Sequence, residues 1–179
     1  MLRTRLLSSL LTAAAPLLVF SCEPAPDYPV EPSIEFKSMR AERVDKPAPE
    51  TDVNEIFVTI TYKDGDGDLG LAAEDLNSPP YNAPPYNFNY YAKMYVFNSR
   101  TNQFVEDLSF NGTFARMLAA DAKAQPIRGE LTYNINKGNG FPINYPQYAP
   151  GNKVKFDIYI YDRAKNKSNV ITTEEYVLP

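Results

Sequence analysis

Clean alternation of inward apolar residues with the residues between them, in the segment 153–162, is the feature that most constrains how this chain can fold. The segment reads KVKFDIYIYD, and its apolar positions recur at every second residue from Val154 to Ile160. Because successive side chains of a β-strand point to opposite faces, this period of two predicts a strand with one buried face. The segments 55–62 (EIFVTITY) and 129–136 (GELTYNIN) show the same period and are predicted to be strands.

Four further segments are predicted to be strands. The segment 89–98 is apolar on both faces, as a central strand would be. The other three are 33–39, 103–110 and 169–178. The one helical candidate is the Ala-rich segment 114–124 (FARMLAADAKA), which Pro126 soon stops. Seven short strands with turn residues between them predict an all-β fold, an immunoglobulin-like antiparallel β-sandwich with at most one short helix.

The first 21 residues have the three parts of a secretory signal peptide. Arg3 and Arg5 give a basic start, an apolar stretch follows, and the small residue Ser21 precedes Cys22. The apolar stretch is shorter than the roughly 20 residues that a transmembrane helix needs. We therefore predict that residues 1–21 are a signal peptide and exclude them from the fold.

The sequence VFSC at 19–22 resembles the lipobox of bacterial lipoproteins, in which the cysteine is lipidated and becomes the new N-terminus. It departs from the usual pattern at Val19 and Phe20, where Leu and a small residue are common. The resemblance implies that Cys22 is a lipid anchor in the outer membrane of a bacterial envelope, facing the periplasm or the cell surface. The alternative is an ordinary secretory signal followed by a coincidental cysteine.

The residues after Cys22 predict the domain organisation. The segment 22–32 is rich in proline and acidic residues, and proline at this density favours an extended spacer. We interpret it as a tether between the membrane and a single β-sandwich domain at 33–179.

The composition excludes several classes of function. The chain has no His, no Trp and one Cys, which removes Ser-His-Asp and Cys-His catalysis, zinc sites built on His or Cys, and disulfides. Its net charge of −4 argues against a nucleic-acid partner. An exported domain without disulfides must depend on its core, on oligomerisation or on a metal.

An acidic loop, TYKDGDGDLG at 61–70, follows one of the predicted strands. Asp64, Asp66 and Asp68 alternate with glycines that let the backbone curl, so their carboxylates can converge. Calcium takes six to eight oxygen ligands and suits such a loop. The loop therefore predicts a calcium site, and the alternative is a solvated acidic turn, since Asp-Gly steps are also hairpin signals.

The spacing of this loop partly matches an EF-hand. If Asp64 is position 1, Asp75 falls at position 12, where a closing carboxylate sits, and it becomes a candidate ligand. However, Leu69 stands at position 6 in place of the usual glycine, and a strand precedes the loop in place of a helix. The loop is therefore closer to the DxDxD calcium loops that occur outside EF-hands.

The second half of the predicted site lies about a hundred residues later. Asp162 ends the strand at 153–162, and Asn166 follows in a polar loop. If the strand at 55–62 is strand B of an immunoglobulin-like sandwich and the later one is strand F, the loops after them lie at the same end. We therefore expect Asp162 and Asn166 to join the carboxylates of the acidic loop.

Two stretches carry a further resemblance. YKDGDGDLGL and FDIYIYDRAKNKSNVITTEEYVL, together with the lipobox, resemble a group of uncharacterised Bacteroidota envelope lipoproteins. YAPGNKVKFDIYI is similar to the turn into the F strand of fibronectin type III domains. The resemblance implies an immunoglobulin-like fold and the pairing of the two loops, and it implies no activity.

Two proline-rich loops carry several aromatic residues. They are PPYNAPPYN at 79–87 and FPINYPQYAPG at 141–151. They could form an aromatic surface that grips a glycan or a peptide, or the tyrosines could cover the sandwich ends while the prolines reduce loop entropy. The candidate ligand-binding residues are Tyr81, Tyr86, Tyr145 and Tyr148.

Three functions are compatible with these features. The favoured one is a non-catalytic, calcium-stabilised envelope lipoprotein that acts as a binding or accessory module for a glycan, a peptide or an envelope protein. The second is a glycosidase that uses two carboxylates, and the third is a purely structural spacer. The carboxylates available to a glycosidase are Asp64, Asp66, Asp68, Glu74 and Asp75.

Overall fold

The alternating segments form strands in the computed structural model, which describes residues 26–179. Two short 3₁₀ turns accompany the strands, at Asp75–Asn77 and Pro146–Tyr148. Within the described residues the strands are β1 (Ser33–Val44), β2 (Val53–Asp64), β3 (Tyr90–Asn98), β4 (Gln103–Gly112), β5 (Ile127–Ile135), β6 (Phe141–Pro142), β7 (Lys153–Ile160), β8 (Ile171–Thr172) and β9 (Tyr176–Val177).

The strands form two antiparallel sheets. The first has the order β1-β2-β5, with β6 paired to the start of β2, and the second has the order β4-β3-β7, with β8 and β9 paired to β7. The predicted all-β, immunoglobulin-like sandwich is confirmed, with β2 and β7 at the positions of strands B and F.

The core lies between the sheets and takes every second residue of the long strands. In β7, Phe156, Ile158 and Ile160 are fully buried, as are Val58 and Ile60 of β2. Each buried side chain of this size contributes about 1.5–3 kcal/mol to the free energy of unfolding. The apolar side chains that alternate along these strands therefore supply much of the free energy that stabilises the fold.

The helical candidate at 114–124 does not form a helix. This segment is extended with short turns, and it lies along the loop that follows β2. The Leu71 N–H donates to the Phe114 carbonyl (3.0 Å) and the Met117 N–H donates to the Leu69 carbonyl (3.0 Å). These bonds to the loop use backbone groups that a helix would pair internally, so tertiary contacts outweigh the helix propensity of the alanines.

The predicted strand at 169–178 is interrupted. It forms only β8 and β9, each of two residues, with Thr173 between them. The Thr173 hydroxyl accepts the Phe156 N–H (3.0 Å), and so a side chain takes the place of a backbone partner of β7. The two short strands still cover the edge of β7.

The predicted signal peptide at 1–21 and the predicted lipidation site Cys22 lie outside the described residues, and so does the first part of the tether. No helix among residues 26–179 has the length and apolar character needed to cross a membrane.

Candidate metal centre

The ends of β2 and β7 bring the two predicted halves of the site together. Asp64 is the last residue of β2, and Asp162 follows β7 in the opposite sheet. Leu69 and Asp162 form an isolated antiparallel bridge, and the Arg163 N–H donates to the Asp68 carbonyl (3.4 Å). The structure therefore places the loop after β7 beside the acidic loop, as the sequence led us to expect.

Three carboxylates meet where the loops touch. Asp64, Asp68 and Asp162 each offer one oxygen, and these oxygens all lie within 4.8 Å of one another. Calcium binds its oxygen ligands at 2.3–2.6 Å, so two ligands of one ion are at most about 5 Å apart. The three side chains can therefore contact a single cation without a large rearrangement.

Asp64 and Asp162 are buried, and several carboxylate oxygens of the cluster lack hydrogen-bond partners. Asp64 is fully buried and Asp162 is 3% exposed. Neither oxygen of Asp64 has a hydrogen-bond partner, and Oδ1 of Asp68 has none either. An ionised carboxylate that is buried without partners costs several kcal/mol, so this arrangement calls for a positive charge or for protons.

The pKa values of the cluster are raised for the same reason, since burial disfavours the ionised carboxylates. Burial is the main reason that the pKa of Asp64 is raised to about 7, and the three neighbouring aspartates raise it further. The nearby Gly67 N–H falls short of hydrogen-bond geometry and lowers this pKa only weakly. Burial likewise raises the pKa of Asp162 to about 6 and raises that of Asp68. Without a cation, burial therefore favours the protonated form of these carboxyls.

Asn166 contacts this centre through Asp162. Its backbone N–H donates to Oδ1 of Asp162 (2.7 Å), and its side-chain Nδ2 donates to Oδ2 (2.9 Å). Both contacts use nitrogen donors, which do not ligate a cation, so Asn166 orients the Asp162 carboxylate. Each oxygen of that carboxylate keeps a second lone pair for a metal.

Asp66 and Asp75, the other two predicted ligands, are not among the three carboxylates that meet. Asp66 is half-buried, and its Oδ1 accepts the Asp68 N–H at 3.4 Å. Asp75 forms a two-point ion pair with Arg116, with Nη2 to Oδ1 at 2.6 Å and Nε to Oδ2 at 3.1 Å. This guanidinium is the main reason that the pKa of Asp75 is lowered. Asp75 therefore fixes the extended segment against the loop.

The glycines of the loop allow it to curl beneath its covering segment. Gly67 has φ +76°, a conformation that residues with a Cβ rarely adopt, and a Cβ there would lie 2.5 Å from the Leu118 side chain. The Gln125 N–H donates to the Asp66 carbonyl (3.1 Å) and closes the curl from outside. The loop is therefore held in one shape by groups that do not ligate.

The four candidate tyrosines lie at two ends of the sandwich. Tyr81 and Tyr86 precede β3, whose start pairs with the end of β7, so both lie at the end that holds the carboxylates. The Tyr81 hydroxyl donates to the Arg163 carbonyl. Tyr145 and Tyr148 precede β7 and therefore lie at the opposite end.

Tyr148 belongs to the core. It is 6% exposed, its hydroxyl donates to a carboxylate oxygen of Asp107, and its ring packs edge-to-face on Phe141 at 5.2 Å. Tyr145 is 53% exposed. The four tyrosines therefore do not form one continuous binding surface.

An aromatic cluster on the outer face of the second sheet was not anticipated. Tyr91 stacks on Tyr159 at 4.9 Å, and Tyr161 meets both rings edge-on at 5.8 Å. The Lys167 ammonium lies 3.7 Å from the centre of the Tyr159 ring. The sequence carried a signal for it, since Tyr159 and Tyr161 occupy the positions that alternate with the buried residues of β7.

Comparison with known proteins gives no relative for this chain: no protein-family model, no curated protein and no solved structure matches it.

Proposed function

We propose that this chain is a non-catalytic, calcium-stabilised lipoprotein of the bacterial envelope that serves as a binding or accessory module. The observation that carries the calcium assignment is Asp64. Its carboxylate is fully buried, neither of its oxygens has a hydrogen-bond partner, and it faces the carboxylates of Asp68 and Asp162. A divalent cation is the ligand that turns this repulsion into attraction.

The donor set favours calcium over magnesium. Three carboxylates supply oxygen ligands from two flexible loops, which suits the six to eight ligands and variable geometry of calcium. Magnesium demands a near-ideal octahedron and keeps several waters, so a buried cluster of side chains suits it less well. The chain has no His, and its one Cys lies outside the described residues, so the site offers no soft ligands.

A bound cation would join the two sheets. Asp64 ends a strand of the first sheet, and Asp162 follows a strand of the second, so one ion would cross-link them at that end. A disulfide could serve this purpose in an exported domain, but a chain with a single cysteine cannot form one internally. We propose that calcium takes that role.

The burial of the carboxylates supports a non-catalytic role. Glycosidases place two carboxyl groups about 5–9.5 Å apart on either side of a scissile bond. Here the offered oxygens lie within 4.8 Å of one another, and Asp64 and Asp162 are buried, which leaves no room for a sugar between them. A structural clasp suits this geometry better than a hydrolytic site does.

The envelope location rests on the chain start. VFSC ends a signal-like segment in the only cysteine of the protein, and a proline-rich tether follows. We propose that Cys22 carries the lipid, with the sandwich held off the outer membrane. The partner would be a glycan, a peptide or another envelope protein, with Tyr81 and Tyr86 as the candidate contacts nearest the cation.

Thermal unfolding of the full chain in mild detergent tests the calcium assignment. A ligand at 100 times its Kd adds about 2.7 kcal/mol to the free energy of unfolding, so calcium should raise the Tm by several degrees relative to chelator. Asp68→Asn should remove most of this shift, because it removes a ligand charge and keeps an acceptor for the Ala164 N–H. The control Asp121→Asn changes an exposed aspartate and should leave the shift intact.

An unchanged Tm in millimolar calcium would refute the calcium assignment. A calcium shift that Asp68→Asn and Asp121→Asn reduce equally would place the bound ion elsewhere on the protein.

A further inference from the structure

The residues before the first strand continue over the acidic loop. β1 begins opposite the end of β2, with Ser33 paired to Lys63 and Ile34 paired to Tyr62. The chain that precedes β1 therefore passes the end of β2 at the point where the carboxylates lie. We call residues 28–34, which include the first two residues of β1, the N-terminal segment.

Gly65 lies in close contact with the backbone of this segment. A Cβ on Gly65 would lie 2.3 Å from the Tyr28 carbonyl oxygen and 2.6 Å from that of Pro29. Atoms cannot approach so closely, so only glycine permits this packing of backbone on backbone. Gly65 lies between Asp64, which offers a ligand oxygen, and Asp66. The N-terminal segment therefore rests directly on the loop that would hold the cation.

The second loop of the site also contacts this segment. The Asn169 side chain accepts the Ile34 N–H at 2.8 Å, and its Nδ2 donates to the Ile34 carbonyl at 2.9 Å. Asn169 belongs to the loop that begins at Asp162. Pro32 and Ile34 are buried, so the segment is seated on the domain.

We infer that cation binding and docking of the N-terminal segment are coupled, so that the cation fixes the place where the tether meets the domain. The inference rests on the proposed calcium site. The cation would hold the two loops together, and the segment contacts both of them, at Gly65 and at Asn169. Because coupling between two sites is reciprocal, a segment that cannot dock should also weaken calcium binding.

Hydrogen exchange of the full chain in mild detergent, with calcium and with chelator, tests this coupling. Calcium should slow exchange in the N-terminal segment by about tenfold, within the usual range of coupling between sites. The turn at 99–102 lies at the far end of the sandwich, and its exchange should not change.

Two variants test the reciprocal effect. Gly65→Ala removes the close backbone contact, and Asn169→Ala removes both hydrogen bonds to Ile34, while neither changes a carboxylate. Each should weaken calcium binding by about fivefold or more. Gly138→Ala is the matched control: Gly138 has φ +88° with nothing near its Cβ position, so alanine strains the backbone far from the site. It should leave the calcium Kd unchanged.

Isothermal titration with calcium separates the failure of this inference from the failure of the proposed site. Calcium binding with no change in exchange at 28–34 would overturn the coupling alone. A calcium Kd in Gly65→Ala and Asn169→Ala equal to that of the original chain would also overturn it. Absence of any calcium binding by the original chain would overturn the proposed site and the coupling with it.

Discussion

The two ends of the sandwich are closed by different means. At the end where β2 and β7 finish, three buried carboxylates face one another, and Asp64 has no hydrogen-bond partner. At the opposite end, Phe141 is 1% exposed and packs edge-to-face on Tyr148. Asn54 is buried there without partners, but an uncharged amide costs less than a charged carboxylate. The aromatic end is therefore closed by packing, whereas the acidic end brings together carboxylates that we propose a cation neutralises.

Truncation of a buried side chain at the aromatic end should lower the free energy of unfolding more than any other substitution considered below. Phe141→Ala removes a buried ring and should lower the free energy of unfolding by about 3–5 kcal/mol. Because the three carboxylates lie at the opposite end, the loss should be the same in calcium and in chelator. Denaturant unfolding under both conditions measures it, and a loss that depends on calcium would break the proposed independence of the two ends.

The effect of Asp64→Asn on the free energy of unfolding should have opposite signs in chelator and in calcium. In chelator, the substitution removes a buried charge that has no partner, so it should raise the free energy of unfolding at pH 8 by about 1–3 kcal/mol. In saturating calcium it removes a ligand and should lower that free energy by a similar amount. Thermal and denaturant unfolding in both solutions measure the two values. Destabilisation of equal size in both would show that Asp64 has a purely structural role.

The ion pair beside the acidic loop should contribute less to the free energy of unfolding, and its contribution should be the same with and without calcium. Asp75→Asn weakens its two-point contact with Arg116 and should lower the free energy of unfolding by about 1–2 kcal/mol. The calcium Kd should stay within about twofold of the original value, since Asp75 is not among the carboxylates that meet. A Kd at least tenfold weaker would instead assign Asp75 to the cation as a ligand.

The stability of the calcium-free protein should fall as the pH rises. The pKa of Asp64 is about 7 in the folded protein and 3.8 as its ordinary value, and that of Asp162 is about 6, so the folded state binds more protons between these limits. The free energy of unfolding should therefore decrease from pH 5 to pH 8 in chelator. Asp64→Asn should flatten this slope in denaturant titrations, and an unchanged slope would assign the pH dependence to other groups.

The smallest effect should come from the exposed ring at the aromatic end. Tyr145→Ala changes a side chain that is 53% exposed and should alter the free energy of unfolding by less than about 0.5 kcal/mol. Tyr148→Phe, which removes the buried hydroxyl bonded to Asp107, should cost about 1 kcal/mol. Denaturant unfolding of both variants separates a covering ring from a core ring.

The sequence predicted those parts of the fold that depend on a repeated pattern. Alternation identified β2, β5 and β7, because a half-buried strand imposes its period directly on the residues. The approach of Asp162 to the acidic loop followed from the sandwich topology, which fixes which loops share an end.

The parts that could not be predicted depend on single tertiary contacts. Alanines favour a helix at 114–124, but Arg116 in that segment binds Asp75, and backbone bonds to the loop hold it extended. No local pattern marks such a pair. Tyr148 and Tyr145 lie in one proline-rich loop, and only the packing of Phe141 against the first distinguishes core from surface.

The most direct test of the account is calcium binding itself, measured by isothermal titration of the full chain in mild detergent after chelator has been dialysed away. We expect one calcium ion to bind per chain; Asp64→Asn should abolish this binding, and Asp121→Asn should preserve it. No bound calcium in the original chain, or unchanged binding in Asp64→Asn, would contradict the claim that a cation closes the acidic end of the sandwich.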